Sequence, residues 1–212
     1  MRIGHPPHAD VEAIRQHFRQ WLVAKALQEL ARGVRGALEE AAKYVWAFGQ
    51  GGKQITVADF NTGLAAEERR ANGRNFPQLL EDVNAGLTRP FEFGGAYLYL
   101  QRARSCLEHQ DGVVLPRHLN EGGDRMTLRM PRYEIWAIEL DPPQQIEGPM
   151  MLEKESRIVI RPGIWQMSFM AGQRIELMPA DVMTIAQGCM VFVQDLVGKL
   201  PPAQAEPAAA GE

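Results

Sequence analysis

The sequence predicts an α+β protein, in which an N-terminal helical region is followed by an antiparallel β-rich unit built as a meander, sandwich or small barrel. Three observations lead to this fold class. Apolar residues recur at steps of three and four from Val11 to Phe48, as on one face of a helix. Between residues 157 and 193, short apolar runs alternate with Gly and Pro turns at about 8–12-residue spacing, as in antiparallel sheets. The 212 residues are 45% hydrophobic and 23% charged, which is enough to form a core.

These patterns divide the chain into four parts. Residues 1–9 are expected to form a flexible arm, residues 10–90 a helical region, and residues 91–200 the β-rich region. Residues 201–212 are rich in Pro and Ala and have no apolar periodicity, which predicts a disordered tail.

The helical signal of the N-terminal region is strong and continuous. Gly33 and Gly36 predict a bend or a break within it, because glycine is a poor helix former. Trp21, Tyr44 and Trp46 widen its apolar surface. From residue 27 onward the spacing is close to a heptad, which requires a partner helix in this chain or in another subunit. The residues of the predicted interaction face are Leu27, Leu30, Val34, Leu38 and Val45.

Further helices and turns follow from local signals. Thr56 begins a capping box, and Asn75 can cap a helix over residues 76–87. Helical spacing also covers residues 97–110. The glycine-rich stretch over residues 49–53 lacks the spacing of a phosphate-binding loop, and it is interpreted as the turn that ends the first helix.

Short apolar runs in the second half of the chain predict strands. Pro162-Gly163 is expected to separate two of them, and the run over residues 189–193 does not alternate, which favours a strand buried on both faces and leaves a helix open. The predicted strands cover residues 91–93, 113–115, 126–130, 133–140, 157–161, 164–170, 174–177, 182–185 and 189–193.

Composition limits the possible functions. The net charge of −3 argues against a protein whose main task is to coat nucleic acid. Two distant cysteines are typical of a reducing compartment. The first residues contain no signal-peptide pattern, and no apolar run long enough to span a bilayer is recognised. A cytoplasmic protein without a membrane partner is expected.

No coherent catalytic set is present. Cys106 and His109 lie three residues apart on a predicted helix and provide half of a metal site, but no second pair completes it. A structural cysteine beside a surface histidine is the simpler interpretation, and a nucleophile–base pair stays open. No metal and no cofactor are therefore expected, and an enzyme is the less favoured class.

Arginines and aromatic residues occur together in the β-rich region. If they share one exposed sheet face, they form a stacking surface for single-stranded nucleic acid, although such aromatic residues more often belong to a core. The candidate binding residues are Arg129, Arg132, Arg161, Trp165 and Arg174.

One segment resembles the β-clip enzymes, the dUTPases and dCTP deaminases. Ile160-Arg161-Pro162-Gly163 stands where those enzymes have a strand ending in Pro-Gly, and residues 175–182 stand for their Leu-Pro-x-Asp-like turn. The resemblance implies a nucleotide-binding or nucleotide-processing protein. The serines of the family's phosphate motif have no counterpart, because Gly188-Cys189-Met190 stands there, and no catalytic residue is carried over.

The leading expectation is a non-enzymatic accessory or interaction protein that self-associates or docks on a protein partner through its N-terminal amphipathic helix. Nucleic-acid binding by the β-rich region and nucleotide binding of the β-clip kind are the alternatives.

Overall fold

The long apolar periodicity at the N-terminus produces one unbroken helix, α1, over Val11–Phe48. Its 38 residues correspond to a length of about 57 Å. The break predicted as one alternative at Gly33 and Gly36 is wrong, because α1 continues through both residues. A Cβ at either position would meet no atom within 4 Å. Packing of the neighbouring side chains in the core therefore outweighs the weak helix propensity of glycine.

The computed structural model describes residues 11–120, 123–146, 151 and 157–202. It confirms the α+β class, with a helical region followed by an antiparallel sheet. The predicted arm over residues 1–9 and all but the first two residues of the predicted tail lie outside the described residues. After α1, the helices are α2 (Val57–Gly73), α3 (Phe76–Ala85), α4 (Gly94–His109) and, after the sheet, α5 (Pro179–Lys199). The strands are β1 (Arg125–Ala137), β2 (Gln144–Ile146) and β3 (Ile158–Met170).

The predicted helix caps are confirmed. The Thr56 hydroxyl accepts a hydrogen bond from the Asp59 amide and starts α2. The Asn75 side chain and Gln78 form a reciprocal capping box at the start of α3, which ends at Ala85 rather than at residue 87. The stretch after α1 forms the expected glycine turn, in which Gly52 has a φ of 76°.

The sheet is a three-stranded antiparallel arrangement in the order β2-β1-β3. β1 and β3 pair along all 13 residues, from Arg125 opposite Met170 to Ala137 opposite Ile158. The predicted break at Pro162-Gly163 is therefore wrong, as is the division of β1 into two strands. Proline is tolerated here because β3 is an edge strand, and because β1 has a single neighbour at Pro131.

Three other predicted strands are absent from the places where they were expected. Residues 91–93 lead into α4 without strand pairing. Residues 113–115 and 174–177 share a single bridge, between Val113 and Arg174, rather than a ladder.

The strands predicted over residues 182–185 and 189–193 are wrong, because both runs belong to α5. Pro179 occupies the first turn of this helix, and the Asp181 carboxylate accepts a hydrogen bond from the Met178 amide. One face of α5 packs on the core while Met183, Met190 and Val197 on the other face are exposed. Apolar residues on both faces hide the helical period. By length and composition alone α5 could cross a membrane, and a third of that window is buried inside the protein.

The core lies between the helices and one face of the β1–β3 ribbon. Helix α1 contacts α2, α3, α4 and α5, while α4 and α5 both pack on β1. Alternate residues of β1 point into this core, so that Met126, Leu128 and Met130 are fully buried. Beyond Pro131 most side chains of the ribbon are exposed or partly buried on both faces, while Ala137 is buried.

Candidate interaction surface and ligand cleft

The first part of α1 carries a stripe of exposed apolar side chains. Within α1 the first buried residue is Leu27, so about four turns of helix precede the core. Five large apolar residues on these turns have exposed fractions between 48% and 61%; they are Val11, Ile14, Phe18, Trp21 and Leu22, named here the N-terminal stripe. Large apolar side chains clustered in this way are typical of an interaction surface.

The geometry of the N-terminal stripe is that of a helix-packing seam. Val11, Ile14 and Phe18 follow one another at steps of three and four, and the adjacent Trp21 and Leu22 lie three and four residues after Phe18, which places all five along one face of the helix. The rings of Phe18 and Trp21 stack at a centroid distance of 5.7 Å and an interplanar angle of 19°. The aromatic pair forms a broad, stiff apolar platform in the middle of the stripe.

The border of the N-terminal stripe is basic. Arg15, Arg19 and Lys25 oppose the single acid Glu12, so residues 11–25 carry three positive charges and one negative charge, a net +2. The whole chain has a net charge of −3, which leaves −5 for the remainder. The exposed segment therefore has the opposite sign to the rest of the protein.

The interaction residues predicted from the heptad pattern lie mainly inside this chain. Leu27, Val34 and Leu38 are buried in the core, and Leu30 and Val45 are partly buried. Their helical partners are α2, α3, α4 and α5 of the same chain. The exposed apolar surface of α1 is displaced toward its N-terminus from the predicted one.

A cleft of about 710 Å³ opens beside the N-terminal stripe, between α1 and the C-terminal end of α4. Trp21 belongs both to the stripe and to the wall of the cleft. The walls combine apolar groups with polar ones; the residues that line it are His17, Gln20, Trp21, Ala24, Lys25, Gln28, Arg104, Leu107, Glu108, His109, Asp111, Gly112 and Ile175. Its volume lies within the range of small-molecule sites.

One rim of the cleft is held by a hydrogen-bonded chain that spans three segments. Arg174 donates from Nη2 to Oδ2 of Asp111 and from Nη1 to Oε1 of Gln20, each at 3.0 Å. Asp111 follows α4 with a φ of 51°, a left-handed conformation that aspartate tolerates better than most residues. Because Arg174 binds the amide oxygen of Gln20, the amide nitrogen of Gln20 points away from Arg174.

The floor of the cleft contains polar atoms with unused hydrogen-bonding capacity. The Glu108 carboxylate lies 3.2 Å from Arg104 Nε and 3.9 Å from His109 Nε2, both measured to its Oε2. The other oxygen, Oε1, the Nε atom of Arg104 and the Nε2 atom of Gln20 are closed to solvent and have no hydrogen-bond partner among the described residues. A buried polar atom without a hydrogen-bond partner costs about 1–3 kcal/mol of stability, so the polar atoms of this floor destabilise the fold unless a further group binds them.

The candidate binding residues of the β-rich region lie at separate places. Arg132 and Arg161 share the outer part of the ribbon, where Arg132 binds Glu134 at 3.0 Å and Arg161 lies over Trp136 at 5.9 Å. A Cβ at Gly163 would collide with the Glu134 carboxylate, which therefore crosses the ribbon at this point.

The other three candidates are elsewhere. Arg129 is exposed on the opposite face of β1, and Trp165 is half-buried against the core. Arg174 belongs to the rim of the cleft. The five residues do not converge on one concave surface.

The Cys106–His109 pair does not form a joint site. Cys106 is buried, and its thiol donates to the carbonyl oxygen of Val113 at 3.1 Å. Burial raises the pKa of this thiol to about 11, which opposes nucleophilic chemistry. His109 is exposed at the mouth of the cleft. Nowhere in the described ranges do three His, Cys, Asp or Glu side chains meet as metal ligands.

Sequence reasoning missed the cleft because its parts come from distant segments. Its lining joins the first half of α1, the last turn of α4 and the segment around Ile175, and none of these contains a motif. The apolar members of the stripe were visible as a helical pattern, but the pattern does not distinguish exposed residues from buried ones.

No protein-family model, curated protein or solved structure matches this chain.

Proposed function

We propose that this chain is a non-enzymatic accessory or interaction protein that docks on a partner protein through the N-terminal stripe of α1. The observation that supports this most directly is the exposure of five large apolar side chains on the turns that precede the core. Burying such side chains against a partner contributes about 25 cal/mol per Å² of apolar surface. A helix face of this kind is recognised by an apolar groove or by a second helix.

The charge around the stripe favours a particular kind of partner. A surface with acidic residues beside its apolar centre complements Arg15, Arg19 and Lys25. Two copies of the stripe placed face to face would bring like charges together, which costs energy at an interface. We therefore favour an acidic partner protein over a second copy of this chain.

The alternative functions have weaker support. A nucleic-acid interface needs cations and aromatic faces on one surface, whereas the five candidates lie apart and Glu134 neutralises Arg132. The β-clip alternative needs a strand leading to Gly188, whereas that residue lies inside α5.

The proposal is tested by site-specific photo-crosslinking followed by a binding measurement. A photoreactive amino acid replaces Phe18 in one variant and Ile160 in a second. Ile160 is the matched control, because it is also a large apolar residue, 64% exposed, on the distant ribbon. The protein captured at position 18 is identified, purified and titrated calorimetrically with the wild-type chain, Phe18→Asp and Ile160→Asp.

We expect position 18 to capture a protein with an acidic docking surface. Phe18→Asp should weaken its binding at least about tenfold, since central aromatic residues dominate interfaces, while Ile160→Asp leaves binding unchanged. Capture of a second copy, with a dimer in light scattering that Phe18→Asp dissolves, would show self-association instead. Equal capture at positions 18 and 160, or binding insensitive to Phe18→Asp, would refute the proposed surface.

A further inference from the structure

We infer that the cleft between α1 and α4 is a binding site for a small molecule that combines a carboxylate with an apolar, ring-sized body. Trp21 and Lys25 belong to both surfaces, but the inference does not rest on the docking proposal, because the floor of the cleft and its Arg104–Glu108 pair lie outside the N-terminal stripe. Its volume of about 710 Å³ accommodates such a molecule.

The charges around the cleft select an anion. Each acid on its wall already has an arginine partner, since Glu108 pairs with Arg104 at 3.2 Å and Asp111 with Arg174 at 3.0 Å. Lys25 is the cation left over. Its ammonium donates to Gln28 Oε1 at 2.8 Å, and no carboxylate among the described residues forms an ion pair with it.

Further polar groups of the cleft add donors on the same side. Gln20, Gln28 and His17 belong to α1, like Lys25, and His17 lies about one turn before Gln20. The Nε2 atom of Gln20 has no acceptor, and Arg174 fixes the orientation of that amide. This nitrogen is closed to solvent, so a ligand oxygen reaches it only when the covering side chains move. A ligand carboxylate would then supply an acceptor for the Gln20 nitrogen.

The apolar groups determine the rest of the ligand. The Trp21 indole stands at the mouth of the cleft, and Leu107 and Ile175 belong to its wall. A flat apolar body can lie against the indole while the carboxylate points toward Lys25. Because Glu108 and Asp111 are paired with arginines, they attract a cationic ligand only weakly. The ammonium of Lys25, which has no carboxylate partner in the described part of the chain, therefore determines the preference for an anion.

The test uses phenylacetate as the probe and phenylacetamide, its neutral isostere, as the matched control ligand. Binding is followed by NMR of the four tryptophan indole N–H groups. Trp21 belongs to the cleft, whereas Trp46, Trp136 and Trp165 lie elsewhere and serve as internal references. A ligand of this size is expected to bind with a dissociation constant on the order of 1–10 mM.

We expect phenylacetate to shift the Trp21 resonance in a saturable way and to leave the other three unchanged. Lys25→Gln should weaken this binding about three- to fivefold. Lys53→Gln is the matched protein control, because Lys53 also donates to a glutamine three residues away but lies outside the cleft, and it should have no effect. Equal shifts with phenylacetamide, an unchanged affinity in Lys25→Gln, or no Trp21 shift at about 50 mM probe would each overturn the inference.

Discussion

The Tyr97 phenol donates a hydrogen bond to the backbone carbonyl oxygen of Gly188, 2.6 Å away, inside the core. The bond joins α4 to α5 at the point where α5 crosses β1. Tyr97 also packs on Phe192 at a centroid distance of 4.2 Å. Burial raises the pKa of Tyr97 far above its usual value, so this donor keeps its proton. The close approach of three elements at this point requires a small residue at position 188.

Replacing Gly188 by valine should therefore destabilise the fold. A Cβ at this position would lie 2.9 Å from Met130 Cε and 3.0 Å from the Pro131 carbonyl oxygen. The side chain can move but the backbone oxygen cannot move freely, and overpacking of this kind costs about 1–3 kcal/mol. Urea unfolding measures the loss.

Gly198→Val is the matched control for this substitution. Gly198 lies in the same helix, and a Cβ there would meet no atom within 4 Å. Its free energy of unfolding should stay within about 0.5 kcal/mol of the wild-type value or increase. An equal loss in both variants would show that valine disturbs the helix itself and not the crossing with β1.

Helix α5 also shows why part of the fold could not be predicted. Short apolar runs around Gly188 look alike in a buried strand and in a helix whose two faces are both apolar. The exposed Met190 and Val197 complete the second apolar face, and only the tertiary packing shows which face is buried. By contrast, Thr56 and Asn75 were predicted correctly as caps, because a cap depends on side chains within three residues.

For the candidate site, too, the features set by neighbouring residues could be predicted, and those set by tertiary packing could not. The apolar period of α1 predicted the helix and its interaction face, but the core covers Leu27 and Val34 and leaves Phe18 uncovered. Which part of a long helix is covered depends on where the other elements pack. Arg174 is a candidate binding residue in the sequence because arginines and aromatic residues occur together in that region. Its contacts with Gln20 and Asp111 could not be predicted, because these residues are far from it in the sequence.

The two buried thiols should make the fold sensitive to alkaline pH. Burial raises the pKa of Cys106 to about 11 and that of Cys189 to about 12, whereas a thiol in an unfolded chain ionises near about 8.5. Below that pH both states keep their protons and stability is intact. As the pH rises toward 11, the unfolded state loses its thiol protons first. The free energy of unfolding therefore falls by about 1.4 kcal/mol per pH unit for each thiol.

The measurement is urea unfolding under reducing conditions between pH 8.5 and 10. The two thiols should together remove about 3 kcal/mol over this interval. The Cys106→Ala/Cys189→Ala variant is less stable at every pH, but its pH slope should be flatter by that amount. An unchanged slope would mean that the thiols ionise equally in the folded and unfolded chains.

Lys199 should be necessary for the stability of the α5 terminus. Its side chain is 1% exposed, and its ammonium binds Asp195 at 2.7 Å and approaches Glu92 at 3.6 Å. Lys199→Met keeps the length of the side chain but leaves Asp195 without its cation, which should cost about 3 kcal/mol. Thermal unfolding compares it with Lys53→Met, an exposed lysine in a turn, for which we expect less than about 0.5 kcal/mol.

The double variant Lys199→Met/Asp195→Leu tests the cause. Removing both charges should recover most of the loss, since the penalty arises from an uncompensated carboxylate. A double variant as unstable as Lys199→Met would instead assign the effect to packing of the lysine stem.

Hydrogen exchange should divide α1 into two parts. From Leu27 to Ala42 the helix buries a continuous face, and its amides open only with the core. The turns from Val11 to Leu22 have exposed side chains, and an isolated helix of that length is marginal in water. Mass spectrometry should therefore show exchange at least about a hundredfold faster before Leu22 than after Leu27.

Uniform slow exchange along α1 would show that the N-terminal stripe is already covered, by another copy of the chain or by residues 1–10. Protection that appears only when the partner captured at position 18 is added would place that partner on the stripe.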